Sequence, residues 1–367
     1  MIISIFQQRI PKYRDFLFTW LEKSLRVENI TLNVYRYGNN DSSDFADESR
    51  EIFIKQISSV PILSKIRKIR ILKMGEIGRS SDLLVFEHAL RCGNLYYYLL
   101  LHPNKVVLWG HAKSYTLEEN WLRKLIMDWM AKRCSHFLVY TQGGAQYLLD
   151  IGVKKSNISI IVNSLETEEL VATPSDITVR KIQKQLFQEG GSPTYVVAYL
   201  GVLEEYKKLH FLQDSLRYLR HKGLDITCLV AGDGNLKQEL VSRNDGEFVF
   251  LGYASPEMKV ALSHFAKILL IPGRIGLVAI DSIFLGLPIV TTKYSLHAPE
   301  FEYLEIEKDY IETEADILDF SSKIHELLTD EKRVSEMRVN LINKRMYYRG
   351  SAMQENFRNA LMESLQK

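Results

Sequence analysis

The chain has 367 residues, 46% hydrophobic and 25% charged, with a formal net charge of +2. That length fits two domains, and the balance supplies apolar residues for two cores, which excludes an intrinsically disordered chain. A charge so near zero removes nucleic acid as the default partner, because domains that bind it normally carry a large basic excess. The three cysteines, Cys92, Cys134 and Cys228, are far apart and form no Cys-x-x-Cys pair. Neither a disulfide framework nor a zinc site is expected, and a reducing compartment, the cytoplasm, fits.

In chain order, residues 2–6 read as a first strand rather than a signal peptide, since no basic region precedes them and Gln7, Gln8 and Arg9 end the run. A helix over 14–25 places Phe16, Trp20 and Leu21 along one face. Strands are expected at 30–35, 82–86, 106–109, 136–140 and 158–162, and helices at 121–132 and 144–150. Residues 40–50 are rich in acids, amides and serine and read as an exposed loop. Between 65 and 73, Lys65, Arg67, Lys68, Arg70 and Lys73 interleave with Ile66, Ile69, Ile71 and Leu72. Two readings stand open for this segment: the solvated basic face of a surface element, or a peripheral contact with an anionic membrane. No apolar run reaches the ~18–20 residues that a membrane-spanning helix needs.

Residues 163–192 are polar, with Pro174, the pair Gly190 and Gly191, and one surface helix over 176–188. The domain boundary is expected here. The second half then repeats the alternation, with strands at 195–200, 226–231, 248–251, 268–271 and 289–291. Helices fall at 209–219, 236–242, 256–263 and 277–285. The chain is helical in period from 315 onward, divided at Gly350, with a last helix over 351–365. Short buried runs alternating with amphipathic stretches imply α/β architecture: two doubly wound, Rossmann-like domains facing a cleft. The expected division is 1–165, a linker over 166–192, a second domain over 193–345, and a segment 346–367 returning toward the first.

The richest stretch chemically is 272–288, PGRIGLVAIDSIFLGLP. Gly273 and Gly276 let backbone approach a ligand closely. The N–H groups of Gly276, Leu277 and Val278 would open a helix with its positive dipole end behind them, an anion site suited to a diphosphate. Asp281 lies one turn further, placed either to accept hydrogen bonds from a ribose or merely to favour the helix start.

This stretch resembles the carboxyl-terminal signature of the large retaining glycosyltransferase family four, which has the two-domain GT-B fold. That signature runs Glu, seven residues, Glu, then Ala-x-x-x-Gly-x-Pro. Aligned on Gly286 and Pro288, its second Glu falls on Asp281 and its first, the donor-sugar contact, on Gly273. YLGVLEEYKKL, 199–209, resembles the family's G-R-L-x-x-x-K-G-L through Gly201, Leu203, Lys207 and Leu209. The family Arg falls on Val202 and its Gly on Lys208. The resemblance implies that Lys207 neutralises the donor diphosphate, the alternative being a solvated helix start. Arg274, the basic residue within the glycine loop, is expected to replace the lost Arg as a phosphate or sugar contact. LVAGDGNL and FVFLGYAS, 229–236 and 248–255, follow the family's order of turns near the nucleotide base. There Tyr253 either covers the base or is an ordinary loop aromatic. In the first half, Tyr13 and Arg14 follow the first strand, where the family has a loop near donor and acceptor. His111 ends another strand, where a family histidine often lies beside the transferring sugar; a structural role is equally open.

The resemblance implies a retaining, metal-independent transfer from a nucleotide-diphosphate-sugar to a glycan or lipid-linked acceptor in surface polysaccharide synthesis, with no cofactor. The missing charges at Gly273 and Val202 leave a second reading, a catalytically silent scaffold that binds a partner. A nucleotide-sugar epimerase of the same fold is a third.

Overall fold

The computed structural model describes residues 1–38, 54–62, 69–115, 120–188, 193–294 and 296–367. The expected loop at 40–50, together with Lys65, Arg67, Lys68, Gly190 and Gly191, lies outside them. The described chain forms two compact units, Met1–Leu165 with Gly350–Lys367, and Glu166–Arg349.

In the first unit the strands are β1 (Ile2–Gln7), β2 (Thr31–Arg36), β3 (Ile54–Gln56), β4 (Ser59–Ile62), β5 (Ile69–Leu72), β6 (Leu83–Glu87), β7 (Val106–Gly110), β8 (His136–Val139) and β9 (Ile158–Ile160). The helices are α1 (Asp15–Val27), α2 (Gly75–Ser80), α3 (Gly93–Leu101), α4 (Trp121–Arg133) and α5 (Gln142–Asp150). Seven strands make one sheet in the order β3-β2-β1-β6-β7-β8-β9, and every pairing in it is parallel. β4 and β5 pair antiparallel as a separate two-stranded sheet, so residues 69–72 form a strand, one of the surface elements that the 65–73 reading allowed.

A parallel sheet needs cover on both faces, and two apolar layers supply it. One joins Ile3, Ile5, Phe18 and Leu21 to Met353, Phe357 and Leu361 of the final helix, Gly350–Leu365. The other joins Phe6, Phe86, Leu108 and Phe137 to Leu95, Leu99 and Leu148. Each large side chain so buried contributes roughly 1.5–3 kcal/mol relative to exposure. All three cysteines are buried thiols.

The second unit contains α6 (Asp176–Gln188), β10 (Tyr195–Leu200), α7 (Leu209–His221), β11 (Ile226–Ala231), α8 (Lys237–Ser242), β12 (Phe248–Gly252), α9 (Pro256–Ser263) and β13 (Leu269–Leu270). It continues through α10 (Val278–Leu285), β14 (Ile289–Thr292), β15 (Tyr310–Thr313), α11 (Ile317–Thr329) and α12 (Glu331–Tyr348). Its six strands run β12-β11-β10-β13-β14-β15, again all parallel. The stretch expected as a linker packs within this unit: Glu257 on α9 accepts hydrogen bonds from Ser175 and Thr178 at the start of α6. No helix among the described residues is long and apolar enough to cross a membrane.

Both sheets therefore grow outward in two directions from a central pair, β1 and β6 in one, β10 and β13 in the other. Where strand order reverses, the loops leaving the two central strands diverge and open a crevice at the carboxyl edge. That rule places the 201–208 and 271–277 loops together in the second unit, and the 8–14 loop beside Glu87 in the first.

Candidate functional site

The 271–277 loop is held on both sides. A Cβ on Gly273 would lie 2.3 Å from the carbonyl oxygen of Tyr206 and 2.6 Å from Lys207 backbone, so no side chain fits there. The departure from the family's carboxylate is thus built into the backbone packing. Arg274 N–H donates to the Tyr206 carbonyl at 3.1 Å. The Lys207 ammonium donates to the Arg274 carbonyl at 2.5 Å. The next N–H, of Ile275, donates to His297 Nδ1 at 3.0 Å, and the Ile275 carbonyl accepts from Ala298 N–H at 2.8 Å. After these four bonds, the N–H groups of Gly276, Leu277 and Val278 make no hydrogen bond among the described residues. Three free donors at a helix start, with the dipole behind them, are an arrangement suited to an anion.

Cations surround it. Lys207 is 8% exposed, and burial, reinforced by the Arg274 charge, pulls its ammonium down to about 8. Arg274 is partly exposed, and its guanidinium makes no hydrogen bond or ion pair among the described residues. Lys208 takes φ 55° and ψ 43°, the left-handed conformation that suits the glycine found there in the family. Its ammonium donates to Thr292 Oγ1 at 3.1 Å and lies over the Tyr294 ring. Like charges so close repel one another, and an anion would relieve that repulsion.

The other expected site residues fall into place around this frame, or away from it. Gly201 ends β10 at φ 138°, and Gly232 approaches so near that its Cβ would stand 1.8 Å from the Gly201 carbonyl. The Gly-Asp-Gly turn is thereby packed onto the first loop. Val202 is 46% exposed and Tyr253 79% exposed. Asp281 differs from its expected open setting: it is 5% exposed, and its Oδ1 accepts from Lys259 at 2.8 Å. A carboxylate on the inward face of α10, whose residues are all buried, needs that cation to compensate its lost hydration.

In the first unit, His111 is exposed at the end of β7, its ring centroid 5.0 Å from Tyr140 and 5.8 Å from Tyr115. Tyr13 is 39% exposed. Arg14 does not reach outward. It is 4% exposed, donates to Asn163 Oδ1 at 2.6 Å and Tyr140 at 3.2 Å, and lies over the Trp109 ring. Arg70 donates to the Tyr37 carbonyl and to Ser59. Glu87, which sequence reasoning passed over, ends β6, bonded to Tyr37 and to Gln8 backbone. Burial lifts its carboxyl to about 7 against the opposing pull of these bonds and of Arg14. Among the described residues no group of three or more His, Cys, Asp or Glu side chains is placed to hold a metal ion.

Two doubly wound units, each built on one parallel sheet, match the architecture of the GT-B glycosyltransferases. HepE from Anabaena, whose structure contains UDP, superposes with a TM-score of 0.69 at 16% identity, over 98% of this chain and 99% of that one. A glycosyltransferase from Rickettsia africae gives 0.73 at 13% identity, over 100% and 99%. Sucrose-phosphate synthase from Thermosynechococcus elongatus gives 0.69 at 13%, over 99% and 98%. By sequence no curated protein matches. Residues 194–330, most of the second unit, match the family described as glycosyl transferases group 1.

Proposed function

We propose that the chain is a retaining, metal-independent glycosyltransferase of family four. It moves a sugar from a nucleoside-diphosphate donor to a glycan or lipid-linked acceptor, in surface polysaccharide synthesis. The observation that carries this reading is the trio of unpaired amides at Gly276, Leu277 and Val278 beside Lys207 and Arg274. Uridine is the base we favour, because HepE was solved with UDP-glucose.

The chemistry follows from charge. As the bond from the anomeric carbon to the diphosphate breaks, negative charge grows on the departing phosphate oxygens. Preorganised amides and cations stabilise that charge more than they stabilise the bound donor, and each such donor is worth ~10²–10³-fold in rate. The acceptor hydroxyl attacks on the face that the diphosphate leaves, and a departing phosphate oxygen takes its proton. In this scheme Lys207 and Arg274 are the catalytic cations, Gly201 keeps the first loop clear, and Tyr253 lies beside the base. His111 is the catalytic residue beside the transferring sugar, Tyr13 contributes on the acceptor side, and the 65–73 segment contributes peripheral membrane contact.

A screen of nucleotide-sugars with a chelator present tests the proposal. UDP release from at least one donor is expected, accelerated by acceptor. No nucleoside diphosphate binding at millimolar concentration would remove the reading. Gly273 favours a second one, a silent scaffold, since its packing leaves no room for the carboxylate that contacts donor sugar in the family. That alternative predicts nucleotide binding with neither donor hydrolysis nor transfer.

A further inference from the structure

His297 follows β14 and is 8% exposed. Its Nδ1 accepts the Ile275 N–H at 3.0 Å, so a neutral ring must carry its proton on Nε2. That Nε2 is buried and has no hydrogen-bond partner among the described residues. Buried donors are normally paired, and an orphan among cations is the kind of exception that a ligand explains. Burial, reinforced by the charges of Lys207, Arg274 and Lys208, holds the ring's pKa at about 4, which forbids the imidazolium near neutral pH. Phe301, with its ring centroid 4.0 Å away, and Tyr294, at 5.5 Å, fix the ring plane. The peptide between Arg274 and Ile275 is therefore gripped from both ends, its carbonyl by Lys207 and its N–H by His297.

We propose that His297 is a positioning residue of the anion cradle with two tasks. Its Nδ1 locks the 274–275 peptide so that the amides of Gly276, Leu277 and Val278 stay free. Its Nε2–H donates to a phosphate oxygen of the bound nucleoside diphosphate. A neutral imidazole donates without adding a fourth charge to a crowded cationic pocket. The inference rests on the reading of this pocket as the donor-phosphate site.

Three variants of the full chain separate the tasks. In His297→Asn the amide oxygen can replace Nδ1 while the Nε2–H is lost. In His297→Gln a donor can reach the Nε2 position while the Nδ1 acceptor is lost. His297→Ala loses both. Calorimetry would compare UDP with UMP, alongside thermal melting. His297→Asn should melt near the unaltered chain yet bind UDP ~10-fold or more weakly, the scale of one hydrogen bond to a charged group. Its UMP affinity should fall less, and His297→Ala should lose both melting temperature and UDP affinity. Equal UDP affinity in His297→Asn and the unaltered chain would overturn the Nε2–H donation. Unchanged melting and affinity in His297→Ala would overturn the loop lock as well. If the unaltered chain itself binds no nucleoside diphosphate, the donor-site reading falls together with this inference.

Discussion

The two units build the same crevice and fill it with opposite chemistry. Beyond β10 and β13 stand Lys207, Lys208 and Arg274, with three unpaired amides between them. Beyond β1 and β6 stands Glu87, bonded to Tyr37 and the Gln8 backbone, while Arg14 is turned inward onto Asn163 and Tyr140. Topology chose where the loops part in both sheets, and the side chains at those loops chose what the place can hold. A cationic crevice with free donors suits a diphosphate. A crevice holding a carboxyl lifted to about 7 suits hydroxyl groups, which both donate and accept.

The sharpest way to break this contrast is to remove the cations. Lys207→Ala and Arg274→Ala should each lower turnover ~10²-fold or more, and their effects should be less than additive because both act on one leaving group. Full activity in Arg274→Ala would leave Lys207 and the amides as the whole phosphate site. Asp281→Asn comes next. Leaving Lys259 partly buried without its partner should cost ~1–3 kcal/mol of stability. Thermal melting with the Lys259→Met, Asp281→Asn double variant should show recovery. If Asp281→Asn instead melts normally and loses UDP affinity, the carboxylate serves the ribose.

Much of this was legible in the sequence, and the failures have causes. β10 and β11 were expected at the residues where they occur, since each is a short, almost wholly apolar run that ends at a glycine. α3, GNLYYYLLL, was missed because its apolar residues go all the way round and leave no helical period. β15, YIET, and the three-residue β3 are too short and mixed to signal a strand. Gly276, Leu277 and Val278 could be named from a glycine pattern because a helix start makes its own donors. His297 could not, since it is 22 positions from the Ile275 amide that it binds and only the pairing of β13 with β14 joins them. Asp281 was placed correctly along the helix, but its partner Lys259 comes from another helix, and no local pattern announces that pairing.

Titration sharpens the contrast more gently. The Lys207 pKa is depressed to about 8, so its ammonium is present at pH 7 and lost as pH rises through 8. UDP affinity should therefore weaken above pH 8, and binding there should take up a proton, measurable by calorimetry in buffers of different ionisation heat. Constant affinity to pH 9.5 would show that Lys207 does not meet the phosphate. The first crevice should respond in a lower pH window, and in stability rather than in UDP affinity. The Glu87 pKa is raised, so in the folded chain the group holds its proton where the unfolded chain has released it, and its contribution to stability falls as pH climbs from about 4.5 to about 7. Glu87→Gln should flatten that part of the melting-temperature profile and leave UDP affinity unchanged. An unchanged profile would mean that Glu87 titrates like an exposed carboxylate.

The most direct test of the central claim, that the loops at the second crevice hold a nucleoside diphosphate, is amide hydrogen exchange of the full chain with and without saturating UDP. The free N–H groups of Gly276, Leu277 and Val278 should exchange fast in the unliganded chain and become strongly protected with UDP, together with peptides covering 201–208. Peptides covering Glu87 and the end of β1 should not change. UDP binding with no protection across 273–278 would contradict the account.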